Sequence, residues 1–198
     1  MTPAVGALQA ALLGSALAMA PSASACGYHD AGSINRGMLN WAYPNALYVT
    51  SAVWKAQLDG LLSRDDRPAA TRALLGYGTA VKELGQLRDG LSLVRDHGRD
   101  DPTISLVLIG PMLWARLAPA NTRLEMIPHT TGPSSGDVVI VTDEPVIKAL
   151  VEGQVAPQTA RELGLIRFYG APEAVQRAAS WLDRLTQPAI EGPVKSSG

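Results

Sequence analysis

The chain has 198 residues, with 17 Lys and Arg against 18 Asp and Glu, and a formal net charge of −1. So even a balance offers no field to hold a polyanion through counterion release, which argues against nucleic acid as a partner. A single cysteine excludes an internal disulfide, and 19 Gly with 14 Pro point to many short elements with sharp ends.

The first 25 residues carry no Lys, Arg, Asp or Glu. Residues 4–20 form an apolar stretch that contains Gln9 and ends at Pro21, shorter than the ~20 residues a membrane-spanning helix needs. Ala23 and Ala25 supply the small side chains that signal peptidase accepts. This pattern predicts a cleavable secretory signal over 1–25, cleavage before Cys26 and a periplasmic or secreted product. Removing 25 residues from 198 leaves 173, room for one domain with a real core and a helical extension.

An arm and a first helix are expected over 26–66. Residues 26–43 are Gly-rich and aromatic without periodicity, so no regular element is predicted there. The first helix opens at Pro44 and places Leu47, Ser51, Trp54, Leu58 and Leu61 at helical spacing. A second begins near Pro68, with Asp65 or Asp66 as its cap, and runs Leu74, Val81, Leu84, Leu87, Leu91 and Val94 down one face. Each interior glycine costs up to about 1 kcal/mol relative to Ala, so this helix is expected to break between Gly85 and His97.

After Pro102 the period becomes strand-like. Strands are predicted at 104–109, 112–117, 123–127, 137–142 and 165–169, the first two joined as a hairpin through Gly110-Pro111. Pro145, Pro157 and Pro172 stand where helices start, and Gly153 and Gly164 where the first two of these stop. Residues 188–198 read as a loose tail. The expected architecture is α+β: a mainly antiparallel sheet of about five strands, covered on one face by helices, occupying 67–187 and preceded by a helical extension.

Over 137–185 the landmarks fall in a recognisable order. They are the strand Asp137-Val138-Val139-Ile140, a helix ending Ala149-Leu150-Val151-Glu152-Gly153, Val155-Ala156-Pro157 opening a short helix, and a turn at Gly164. The strand Leu165-Ile166-Arg167-Phe168-Tyr169-Gly170 and an amphipathic helix complete the series. This order resembles the sterol carrier protein fold, the lipid-binding domain also found at the end of some alkyl sulfatases. With the preceding helix and strands the resemblance extends over roughly 68–187. It implies a sheet-and-helix layer able to hold an apolar ligand, without a fixed polar motif. Ala171 stands where that family commonly has an acidic residue.

Alternation along the strands puts Leu106, Leu108, Leu124, Met126, Ile140 and Phe168 on inward faces, with Val146, Leu150 and Leu182 from helices laid over them. These nine are the candidate ligand-lining residues. A void of at least ~300 Å³ between them would make a small-molecule site; the alternative is a filled core.

Cys26 and His29 are the candidate metal ligands, a thiolate and an imidazole suited to copper or zinc. The same cysteine is alternatively lipidated, free or joined to another molecule, and membrane contact is expected only if it is lipidated. Tyr28, Trp41, Tyr43, Tyr48 and Trp54 form an aromatic group in the arm that either packs against the domain, folds as a lid, or meets a partner or a membrane interface. Nucleophile-elbow, zinc-peptidase and phosphate-loop patterns are missing from the sequence. The expectation is therefore a non-catalytic protein without a cofactor that carries a small apolar or lipid-like ligand. The alternative is a structural or metal-associated periplasmic accessory protein acting through the 26–54 arm.

Overall fold

The computed structural model describes residues 36–98 and 100–185. The signal segment, Cys26, His29, Tyr28 and the tail at 188–198 lie outside the described residues. Five strands form one sheet: β1 (Ile104–Leu108), β2 (Leu113–Pro119), β3 (Leu124–Thr130), β4 (Val138–Thr142) and β5 (Arg167–Tyr169), in the order β3-β2-β1-β4-β5. Three of the pairings are antiparallel and β1 with β4 is parallel, so the α+β sheet is mixed and mainly antiparallel, as expected. The β2–β3 meander intervenes between β1 and β4 in the chain and returns β4 to the other side of β1, parallel to it.

Register explains the burial. Ile104, Leu106 and Leu108 of β1 lie beside Val138, Ile140 and Thr142 of β4 and beside Leu117, Ala115 and Leu113 of β2. Side chains opposite one another share a face, so these residues make one apolar layer, extended by Met126 across from Leu117 and Phe168 across from Ile140. Over this layer lie α3 (Ala69–Val94), α4 (Glu144–Val151), α5 (Pro157–Glu162) and α6 (Pro172–Asp183). Helix α3 packs on β3 and α4, and α6 on β4, β5, α3 and α5.

All five residues of β1 and of β4 are buried, so the second face is covered too. The arm covers it. The Tyr43 ring sits 6.2 Å from Trp114 and 5.2 Å from Tyr169. Val107 and Val141 pair with each other on this same face, Val107 also beside Trp114, and neither is exposed. The arm contains two helices, α1 (Arg36–Ala42) and α2 (Tyr48–Leu58), so the expectation of no regular element before Pro44 is corrected over 36–42.

Helix α2 also starts later than Pro44. Asn45 has a φ of 67°, a left-handed conformation that a helix cannot contain and Asn tolerates better than most residues. The buried face is Ala46, Val49, Val53 and Ala56, not Leu47, Ser51, Trp54 and Leu58; Trp54 is 64% exposed and Leu58 51%. Small and β-branched side chains let the helix backbone approach its neighbours, and the large ones turn outward.

Two expectations about α3 are corrected as well. Its N-cap is Pro68, with no side-chain cap. Asp65 instead accepts from the Arg67 amide at 3.0 Å and from the Arg67 guanidinium at 2.8 Å. The helix runs unbroken to Val94, because Leu84, Leu87 and Leu91 are buried along it. At Gly90 a β-carbon would lie only 2.8 Å from Leu185, so this glycine is a packing position.

Helix starts after Pro145, Pro157 and Pro172 are as expected, each proline in the first turn. Gly153 and Gly164 take φ of 66° and 72° at the two helix ends, the conformation that ends a helix most cheaply in glycine. Asp143 caps α4 by accepting from the Glu144 amide at 2.9 Å, and it accepts from the Gly110 amide at 3.0 Å. One side chain thereby fixes both the helix start and the β1–β2 turn.

Candidate functional site

The structure brings the candidate lining residues together. Leu106, Leu108, Leu124, Ile140, Val146, Leu150 and Leu182 are all buried in one core, with Met126 and Phe168 partly buried against it. They come from the helix-covered face of the sheet and from the inward sides of α4 and α6.

At the seam between α3 and α4 lies a cleft of about 350 Å³. The loop after α2 supplies Ser63, Arg64, Asp65 and Arg67; α3 supplies Thr79 and Glu83; α4 supplies Glu144, Pro145 and Lys148. Helix spacing puts Thr79 and Glu83 one turn apart, and likewise Glu144 and Lys148. Glu144 and Pro145 occupy the first turn of α4, where a carboxylate is favoured by the helix dipole.

Glu83 is the unusual member. It is 8% exposed, and its Oε2 has no hydrogen-bond partner. Burial pushes its pKa from the ordinary carboxylate range up to about 7, the Glu144 and Glu152 carboxylates add to the rise, and Lys148 and Arg67 oppose it. A carboxyl so placed holds its proton near neutral pH and then offers one O–H donor.

Sequence reasoning missed Glu83, although a signal was present. Ala80, Glu83, Leu84, Leu87 and Leu91 follow the i, i+3, i+4, i+7 spacing of a buried helical stripe. An acid inside such a stripe is out of place, because carboxylates are almost never fully buried without a partner.

Asp137 is the contrasting buried carboxylate. Asp137, its side chain 3% exposed, accepts from Arg116 at 2.9 and 3.1 Å, from the Ser105 hydroxyl at 2.6 Å and from the Ser134 amide at 3.0 Å. Burial alone would raise the Asp137 pKa, but the bonds from Arg116, Ser105 and Ser134 hold it below the ordinary range. Among the described residues no group of three or more His, Cys, Asp or Glu is placed to hold a metal ion. No helix among them is long and apolar enough to cross a membrane.

No protein-family model and no curated protein matches this chain. Three solved structures are similar to parts of it. A double mutant of the sec-alkyl sulfatase PisA1 matches 47% of the chain at 18% identity and a TM-score of 0.38. The stereoselective inverting sec-alkylsulfatase Pisa1 from Pseudomonas sp. matches 48% at 18% identity and a TM-score of 0.35. The matched part spans 15% and 14% of those two chains. The UbiJ-SCP2 ubiquinone synthesis protein matches 61% of this chain and 96% of its own at 13% identity, with a TM-score of 0.34.

Proposed function

We propose that this protein is an exported, non-catalytic binding protein that takes up a small apolar or lipid-like molecule at the seam between α3 and α4, against the apolar layer under the helices. The observation that carries this reading is the position of Glu83. It lies in the buried stripe of α3 with Ala80, Leu84 and Leu87, and it also lines the cleft. The apolar stripe of α3 and a largely polar cleft of about 350 Å³ therefore meet at one residue, and a few hundred cubic ångströms is the usual size of small-molecule sites. Export rests on the uncharged, apolar first 25 residues and the small residues before Cys26.

Native mass spectrometry of the protein purified from a bacterial periplasm tests the reading. The expected spectrum contains a chain beginning at Cys26 with an additional apolar mass that a competing hydrophobic probe displaces. A bare chain that binds no such probe would overturn the binding function, and a chain retaining residues 1–25 would overturn export.

A further inference from the structure

A filled core would have Leu at position 83, whereas Glu83 lies in the buried stripe of α3 and also lines the cleft. A ligand with an apolar body and a polar end meets both surroundings. We infer that the cleft between α3, α4 and the 63–67 loop binds a small organic carboxylate, its anionic group held between the Lys148 ammonium and the Glu83 carboxyl acting as a hydrogen-bond donor.

Charge selects this class. Arg64, Arg67 and Lys148 line the cleft together with Asp65 and Glu144, so with Glu83 protonated the lining carries a formal charge of three minus two, or one positive. Asp65 and Arg67 cancel one another as a pair, which leaves Arg64 and Lys148 against Glu144. A monoanion neutralises that balance; a cation is repelled by it and a dianion overshoots it. Lys148 is half-buried and stands one turn from Glu144 on α4. An O–H donor facing a carboxylate makes one of the short, strong, charge-assisted hydrogen bonds. Size agrees: at about 30 Å³ per water-sized group, the cleft has room for roughly a dozen non-hydrogen atoms.

Binding is then coupled to a proton. The groups facing Glu83 are Arg64, Asp65 and Arg67 from the loop, and Glu144, Lys148 and Glu152 from α4 and its end. Glu83 changes charge near neutrality, at about pH 7. When it ionises, the lining loses its positive excess and two carboxylates face each other. This inference deepens the binding reading above by giving the ligand a polar end.

Isothermal titration calorimetry with octanoate at pH 6 and pH 8, using octanol as a tail of the same length without the charge, tests it. Octanoate stays ionised throughout this range, since simple carboxyl groups titrate near ~4.3. The expected result is one saturable site with octanoate bound about tenfold more tightly at pH 6 than at pH 8. In Glu83→Gln the affinity no longer depends on pH over this range, and in Lys148→Met octanoate binding weakens by about tenfold or more while octanol binding does not. Equal affinity at the two pH values, tighter binding at pH 8, or an unaltered pH profile in Glu83→Gln overturns the carboxylate site. Octanol binding without octanoate binding overturns it and leaves the apolar reading standing; binding of neither overturns both.

Discussion

The Tyr169 hydroxyl donates to the Pro44 carbonyl oxygen at 2.7 Å, joining the last strand of the sheet to the turn between α1 and α2 of the arm across 125 positions of chain. The Tyr43 ring packs beside the same tyrosine, so the contact fixes where the arm meets the second face. Tyr169→Phe keeps the ring and removes the bond. A net hydrogen bond contributes about 0.5–1.5 kcal/mol, and urea unfolding of Tyr169→Phe is expected to show a loss of that size with an unchanged denaturant slope. A midpoint equal to the wild type would mean that the arm and sheet are not held through this bond.

That contact also marks the boundary of what local patterning reveals. Strands β1 to β5 and the helices after Pro145, Pro157 and Pro172 were legible because period-two alternation, first-turn prolines and closing glycines act within a few residues. Helix α1 was not, since Arg36–Ala42 has no acidic first turn or basic last turn and over 39–42 Leu39 is buried while the other three are exposed. The inward face of α2 differs from the one that its large apolar side chains predict, because Ala46, Val49, Val53 and Ala56 allow closer approach. The burial of Leu106, Leu108, Leu124 and Ile140 followed from alternation, but none of them lines the cleft. The cleft itself was not legible, because Ser63, Arg67, Glu83 and Lys148 meet only through tertiary packing.

Two glycines should respond in opposite directions to alanine. Gly170 has a φ of 140°, and a β-carbon there would lie 3.4 Å from the Asp137 carbonyl oxygen and the Val138 α-carbon. Such a backbone conformation costs a residue other than glycine about 1–3 kcal/mol, and Gly170→Ala is expected to lose that much. Gly78 lies in helix α3 with open space around its would-be β-carbon. Gly78→Ala is expected to gain about 0.5–1 kcal/mol by restricting the unfolded chain. Thermal unfolding of the two variants side by side checks the pair, and a loss at Gly78 would contradict the continuous helix.

Asp137 ties β1, β2 and the 131–137 turn together through Ser105, Arg116 and the Ser134 amide. Removing the carboxylate strands a guanidinium that is 29% exposed, a milder case than a fully buried partner. Asp137→Ala is expected to cost about 2–4 kcal/mol at pH 7. Because the folded pKa of Asp137 is depressed, its contribution is fully present above the ordinary carboxylate pKa and disappears as the pH falls through the lower folded value. Wild-type stability should therefore decline more steeply than that of the variant below about pH 4. Parallel acid-unfolding curves for the two proteins would contradict this assignment.

Glu83 predicts the reverse dependence. Its folded pKa, about 7, lies above the 4.5 of a free carboxyl, so the folded chain binds the Glu83 proton more tightly than the unfolded chain. Stability from this group is whole below about pH 4.5, declines as the unfolded chain ionises, and is lost by the time the pH has risen through 7. A difference of one pH unit between the two pKa values corresponds to about 1.4 kcal/mol, so the loss amounts to roughly 3–4 kcal/mol at pH 8. Glu83→Gln keeps the shape and removes the charge. It should be more stable than the wild type at pH 8 by up to that amount, and the advantage should shrink toward zero at pH 4.5. Urea unfolding of both proteins across this range decides the matter. An advantage that does not vary with pH would mean that Glu83 is ordinarily solvated and ionises as a surface carboxylate does, and the proton-coupled site would lose its physical basis.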